Sequence, residues 1–209
     1  LLEHQVDHRL RGIARSQVAT RLALVNLMDR KPEKALEALR SSRQAGLPDN
    51  IAHKRLLLEA RALSELGLHD HALDLLSEAE GEDVEWQRAE VYWDSQRWVE
   101  AGVHIERALA EKWKNESPLS ERTRLMVMRA AIAYSLADDK QALDRIRAQY
   151  GEEMRDSPDG GRFAIVTEPI EQQGEEFRRL AKEFAEAHTL DDFVTTVGEG
   201  LDDGGIAIN

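Results

Sequence analysis

Apolar residues along this chain recur at the three- and four-residue intervals that place them on one face of an α-helix. Short polar turns interrupt the pattern, and residues such as Pro32, Gly46 and Gly67 stand where helices begin or end. The pattern predicts an all-α protein. The predicted helices cover residues 5–29, 32–45, 51–66, 69–79, 83–95, 98–113, 119–137, 139–149 and 172–187.

Alanine recurs in four pairs whose members are twelve residues apart, with a short polar turn between them. Two antiparallel helices that pack closely need a small side chain where their axes approach, and an alanine on each helix meets this need. The spacing therefore predicts four helical hairpins. The pairs are Ala23 and Ala35, Ala60 and Ala72, Ala89 and Ala101, and Ala130 and Ala142.

The hairpins resemble the tetratricopeptide repeat, a helix–turn–helix unit of about 34 residues with small residues at its eighth and twentieth positions. The third hairpin is the best match, because Tyr92 and Ala108 fall where this family has its tyrosine and its third small residue. The alanine-to-alanine steps are 37, 29 and 41 residues, and the family's closing proline is missing or displaced. These departures indicate divergent repeats with loops of variable length.

The resemblance implies a right-handed α-solenoid of antiparallel helix hairpins with a C-terminal capping helix. It divides residues 1–150 into repeats, and residues 151–197 would cover the apolar face that the last repeat leaves open. The segment 151–169 is expected to be a turn or loop, with 163–167 as one helical turn, and 198–209 a flexible tail. The repeats would span approximately residues 16–49, 53–86, 82–115 and 123–150.

The acidic composition limits the classes of partner that the chain could bind. A formal net charge of −12 disfavours nucleic acids and anionic membrane surfaces, which need a basic face. No cysteine is present, which excludes disulfides and thiolate metal sites. The chain opens with Leu1 inside a helical pattern rather than with methionine. We therefore expect the C-terminal part of a larger bacterial-type protein, and leave the cytoplasm and the bacterial envelope open as compartments.

Candidate chemistry is sparse, and we expect no enzyme and no cofactor. His4 and His8 share a helix face, but no third metal ligand follows at a recognisable spacing. The run His69-Asp70-His71 lies in a turn where neighbouring side chains diverge, and Asp70 is interpreted as a helix N-cap. The sequence has no nucleophile elbow and no phosphate loop.

A partner-binding groove is the more specific hypothesis. Trp86 and Trp93 lie two turns apart on one helix, and tryptophan is enriched in binding hot spots. The register of the family places both on the concave groove beside basic side chains, which suits a peptide or protein with an apolar and an acidic group. The alternative is that the C-terminal tail covers the rings. The remaining groove residues implied by the register are Lys54, Leu57, Arg61, Arg124, Val127 and Tyr134.

The resulting interpretation is a protein–protein interaction scaffold. Two alternatives stay open: an architectural or self-association module of a larger repeat protein, and a regulatory domain attached to an upstream enzyme. The sequence does not specify the partner or the oligomeric state, because the frame of a repeat protein leaves its ligand undetermined.

Overall fold

The structure, a computed structural model, describes residues 12–167, and these residues are helical with connecting turns and no strand. This confirms the all-α class for the described part. None of the described helices combines the length and apolarity that crossing a bilayer requires. The helices are α1 (Gly12–Met28), α2 (Pro32–Ser41), α3 (Asp49–Glu65), α4 (His69–Leu76), α5 (Glu82–Asp94), α6 (Trp98–Leu109), α7 (Lys112–Asn115), α8 (Glu121–Leu136), α9 (Lys140–Arg155) and α10 (Gly160–Thr167).

The described residues fall into two compact units, 12–79 and 80–167. In the first unit α1 packs against α2, α2 against α3, and α3 against α4. The predicted alanines of this unit are fully buried where these helices meet. A buried arginine, Arg55 of α3, links the unit further by donating to groups on α1 and α2.

The second unit is built around α8. This helix packs against α6, α9 and α10, and residues 126–135 are buried without interruption. Helix α5 packs against α6, and the alanines predicted for these helices and for α8 and α9 are buried. Because α8 is buried around its circumference over these residues, its sequence shows no single apolar stripe. Which of its side chains are accessible therefore depends on the helices that pack around it.

One turn geometry closes the hairpins α1–α2, α3–α4, α5–α6 and α8–α9. In each turn one residue has a left-handed backbone, and its amide donates to the carbonyl three residues earlier. The next amide donates to the carbonyl five residues before it, and these bonds measure 2.8–3.2 Å. This is the Schellman motif, which satisfies the last carbonyls of a helix. The left-handed residues are Arg30, Gly67, Gln96 and Asp138.

Several predicted boundaries were wrong. Residues 151–155 are not a loop but the last turn of α9, because the buried stripe of Ala142 and Ile146 continues through Tyr150 and Met154. The predicted helix 98–113 is instead split into α6 and α7 at Ala110, which has a φ of 48°. The predicted helix 32–45 also ends early, at Ser41.

The helix ends give mixed results. The helical turn predicted at 163–167 is confirmed, and it belongs to α10, which begins at Gly160. The N-cap of α4 is Leu68, and Asp70, predicted to be the cap, lies in the first turn. Residues 5–11, and the segments predicted as cap and tail beyond Thr167, lie outside the described residues.

Candidate partner-binding site

In the first unit, three residues predicted to line a groove lie on α3. Leu57 is buried, and Arg61 is also buried with its Nε 2.9 Å from Oε1 of Glu65. Lys54 is half-buried. Of these three side chains, Lys54 therefore has the most contact with solvent.

In the second unit, the tryptophans predicted to be accessible anchors are buried. Trp86 is 5% exposed and Trp93 is 4% exposed. The Cζ atom of Arg129, on α8, lies 5.1 Å from the centroid of the Trp86 ring and 4.5 Å from that of Trp93. The expectation of open aromatic rings is corrected on this point: a guanidinium group already faces both of them.

The Arg129 side chain also forms an ion pair in the protein interior. Its Nη1 lies 2.6 Å from Oε1 of Glu90, and both side chains are 2% exposed. Glu90 is four residues after Trp86 and three before Trp93, so the three side chains share one face of α5. Sequence reasoning missed this pair, although an acidic residue within an aromatic stripe was its one visible sign.

A third polar side chain, Gln87, is buried in the same helix. It is 1% exposed, and neither atom of its amide has a hydrogen-bond partner among the described residues. An unpaired buried amide is destabilising, on the order of 1–3 kcal/mol. The buried amide of Gln87 therefore lowers the stability of the second unit.

The predicted groove residues of α8 have partners within the second unit. The Nε of Arg124 lies 2.9 Å from Oδ2 of Asp159, and its Nη1 donates to the carbonyl of Leu119 at 2.9 Å. Val127 is fully buried. The Tyr134 hydroxyl donates to the carboxylate of Glu106. These contacts hold the unit together.

Glu106 is shared between two donors. Besides the Tyr134 hydroxyl, it accepts from Nε and Nη2 of Arg145 at 2.9 and 2.7 Å. Burial, and then the hydrogen bond to Glu106, raise the pKa of Tyr134 far above its usual range. The tyrosine is therefore a neutral hydrogen-bond donor and not a base.

A second polar cluster joins α5 and α6. The Nδ1 atom of His104 lies 2.7 Å from Oε2 of Glu85, and the imidazole stacks on Tyr92 with 5.0 Å between the ring centroids. Burial lowers the pKa of His104, and the bond to Glu85 opposes this effect only in part. Arg88 and Arg107 approach the same carboxylate. The cluster links α5 and α6 and contains a histidine whose pKa burial holds below its ordinary value.

Metal chemistry has no support within residues 12–167, where no three histidine, aspartate or glutamate side chains converge in a way that could hold an ion. His69, Asp70 and His71 stand in the first turn of α4. The pair His4 and His8 lies outside the described residues.

Comparison with protein-family models gives no match for this chain, and comparisons with curated proteins and with solved structures give no match either.

Proposed function

We propose that this chain is a right-handed α-solenoid of the tetratricopeptide type that acts as a protein-interaction scaffold. The observation that carries the proposal is the recurrence of one structural unit: four hairpins with the same Schellman turn and a buried alanine on each helix. Stacked units of this kind offer a rigid surface whose exposed side chains select the ligand.

Among the predicted groove residues, the geometry favours Lys54 as the partner contact. Trp86 and Trp93 face Arg129 in the interior, so their role in binding is to support the surface. Lys54 is half-buried and charged, and it would meet an acidic group on a partner.

The test is a quantitative affinity capture with the wild-type chain, a Lys54→Glu variant and a Lys140→Glu variant. Both variants change the charge equally, and Lys140 is an exposed residue of α9 that the groove hypothesis does not involve. We expect a partner that both wild type and Lys140→Glu retain and Lys54→Glu loses. Equal capture by all three would reject the groove.

The solenoid is tested separately by small-angle X-ray scattering. A compact chain of 209 residues would have a radius of gyration of about 17 Å. An open array of hairpins should exceed that value clearly, and a measured radius near it would contradict the proposed architecture.

A further inference from the structure

An open cleft lies between α9 and α10 in the second unit, with a volume of about 390 Å³. Two buried residues of α10, Phe163 and Thr167, contribute to its lining. Small residues form much of the remainder. They are Ala148, Gly151, Gly160 and Ala164.

The lining combines small apolar residues with the charged side chains of Arg147, Glu152 and Arg155. The volume lies within the range of about 300–1,000 Å³ seen for small-ligand sites, but these charged side chains are exposed at the walls and do not converge on a buried polar centre. The buried hydroxyl of Thr167 is already used, since it donates to the carbonyl of Phe163 at 2.8 Å. Phe163 is only 4% exposed, so the accessible apolar lining is that of Ala148 and Ala164.

Gly151 makes the cleft deeper than an alanine would. It lies inside α9, where glycine destabilises a helix by roughly 0.5–1 kcal/mol relative to alanine. A Cβ atom at this position would meet only the flexible Cγ of Arg147, at 3.7 Å. The backbone packing does not require glycine here, and the main consequence of the missing side chain is a deeper cleft. Gly160 differs, because a Cβ there would lie 2.6 Å from the Arg155 carbonyl oxygen.

Two arginines add charge to the walls. Arg147 and Arg155 are exposed and two turns apart on α9, about 12 Å along the helix axis. Neither makes an ion pair with a carboxylate of residues 12–167. Glu152 also lines the cleft, so two positive charges stand against one negative charge.

We propose that this cleft docks an amphipathic helix of a protein partner that carries two carboxylates beside a short apolar stripe. Apolar side chains would occupy the cleft beside Ala148 and Ala164, and carboxylates seven or eight residues apart would reach Arg147 and Arg155. Two arginines match two carboxylates one to one, whereas a nucleic-acid backbone or an anionic lipid surface needs a broad basic face, which a net charge of −12 disfavours. None of the lining residues belongs to the predicted groove, and the proposal goes beyond the scaffold function by naming a site and its partner class.

The probe is a fluorescein-labelled synthetic helix of about 18 residues with a leucine stripe and two glutamates seven residues apart along one flank. Its control has lysines in place of the glutamates. Fluorescence anisotropy with the full chain should show saturable binding of the acidic peptide and not of the basic one. Equal binding of both peptides, or of neither, would overturn the proposal.

Two variants of the full chain test the site. Arg147→Glu/Arg155→Glu should weaken the acidic peptide by on the order of tenfold, whereas Lys140→Glu on the same helix should change it little. Gly151→Leu should block the cleft without harming the helix, because leucine is a good helix former. Unchanged affinity in both variants would reject the cleft as the binding surface.

The chain's own segment Glu171–Ala187, which lies outside the described residues, has similar chemistry and is the rival occupant. A Phe177→Asp/Phe184→Asp variant separates the two possibilities. If the peptide binds only after this change, the cleft is occupied from within the chain and the partner proposal fails. Loss of capture by Lys54→Glu leaves this result unaffected, so the two proposals can fail independently.

Discussion

The two units bury a guanidinium group in different ways. In the first unit Arg55 makes no ion pair with a carboxylate of residues 12–167, although the charge of Glu59 is near enough to favour the guanidinium. Arg55 donates instead to neutral acceptors in and beside α1 and α2. Its Nη1 donates to the carbonyl of Ser16 at 3.0 Å and to the Thr20 hydroxyl at 3.1 Å. Its Nη2 donates to the carbonyl of Leu39 and to the Ser42 hydroxyl. The charge thus joins the ends of α1 and α2 through several bonds.

In the second unit the buried Arg129 depends on one opposite charge, Glu90, and on two aromatic faces. The ion pair and the ring contacts offset the desolvation of both buried charges. The two units should therefore respond differently to loss of the arginine. In the first unit the loss removes one donor from each of several neutral acceptors, whereas in the second it removes the cation that lies 2.6 Å from a buried carboxylate.

The largest effect is expected from Arg129→Leu. Breaking a buried ion pair on one side typically destabilises by about 3–5 kcal/mol, because the remaining buried charge loses its opposite charge. We expect the second unit to unfold at a correspondingly lower urea concentration. Its unfolding can be followed by tryptophan fluorescence, since all four tryptophans of the sequence lie between residues 86 and 113.

The matched control for this prediction is the double variant Glu90→Leu/Arg129→Leu. With both charges replaced by apolar side chains, most of the lost stability should return. A double variant as unstable as the single one would show that the packing of the arginine stem and the tryptophans, rather than the buried charge, determines stability here.

The second effect is expected from Arg55→Leu in the first unit. Two buried carbonyls and two hydroxyls lose a donor, which should destabilise the unit by about 2–4 kcal/mol. The signature is a shifted transition in far-UV circular dichroism with an unchanged tryptophan transition. Arg55→Lys should recover only part of the loss, because an ammonium group lacks the planar fork that reaches both helices. Coincident shifts of both signals would contradict independent failure of the units.

The helices and turns could be predicted from local sequence, because their determinants are close together in the chain. The alanine pairs, for example, flank a single turn, and all of them are buried. The burial of Trp86 could not be predicted in this way, since it depends on Arg129 from a helix that is distant in sequence. The register implied by the resemblance predicted that Trp86 and Trp93 share one face of α5. The packing of α8 against that face, which the register does not include, buries both rings.

The open cleft of the second unit could not be predicted from local sequence either. Its walls come from α9 and α10, whereas the sequence predicts a turn or loop from residue 151 that would include the end of one helix and the start of the other. Glycine is common just past the end of a helix, so Gly151 gives no local sign that α9 continues. Its actual position inside α9 follows from Met154, whose burial continues the apolar stripe beyond the glycine.

A third prediction contrasts two helical glycines of the second unit. A Cβ on Gly102 would lie 2.5 Å from Cε1 of Tyr134, so Gly102→Ala should destabilise by about 1–3 kcal/mol through overpacking. Gly151→Ala meets no such obstacle and should stabilise by about 0.5–1 kcal/mol. Urea unfolding followed by fluorescence measures both. Shifts of the same sign would show that the α6–α8 contact can relax.

The smallest effect concerns pH and also distinguishes the second unit. Burial lowers the pKa of His104, so the unfolded chain binds a proton at an ordinary pKa of about 6.5 while the folded state binds it only at lower pH. The stability contributed by the neutral imidazole is therefore complete above pH of about 6.5 and is lost as the pH falls through the lowered value.

Urea unfolding followed by tryptophan fluorescence between pH 7 and pH 5 should show this loss of stability. It should be smaller in His104→Gln, which keeps a donor for Glu85 but does not titrate. Carboxyl groups such as Glu100, whose backbone hydrogen bond lowers its pKa, contribute only below pH of about 4.5 and leave this window clear. Identical slopes for wild type and variant would mean that His104 gains its proton equally well in the folded unit, and that its contact with Glu85 offsets the burial.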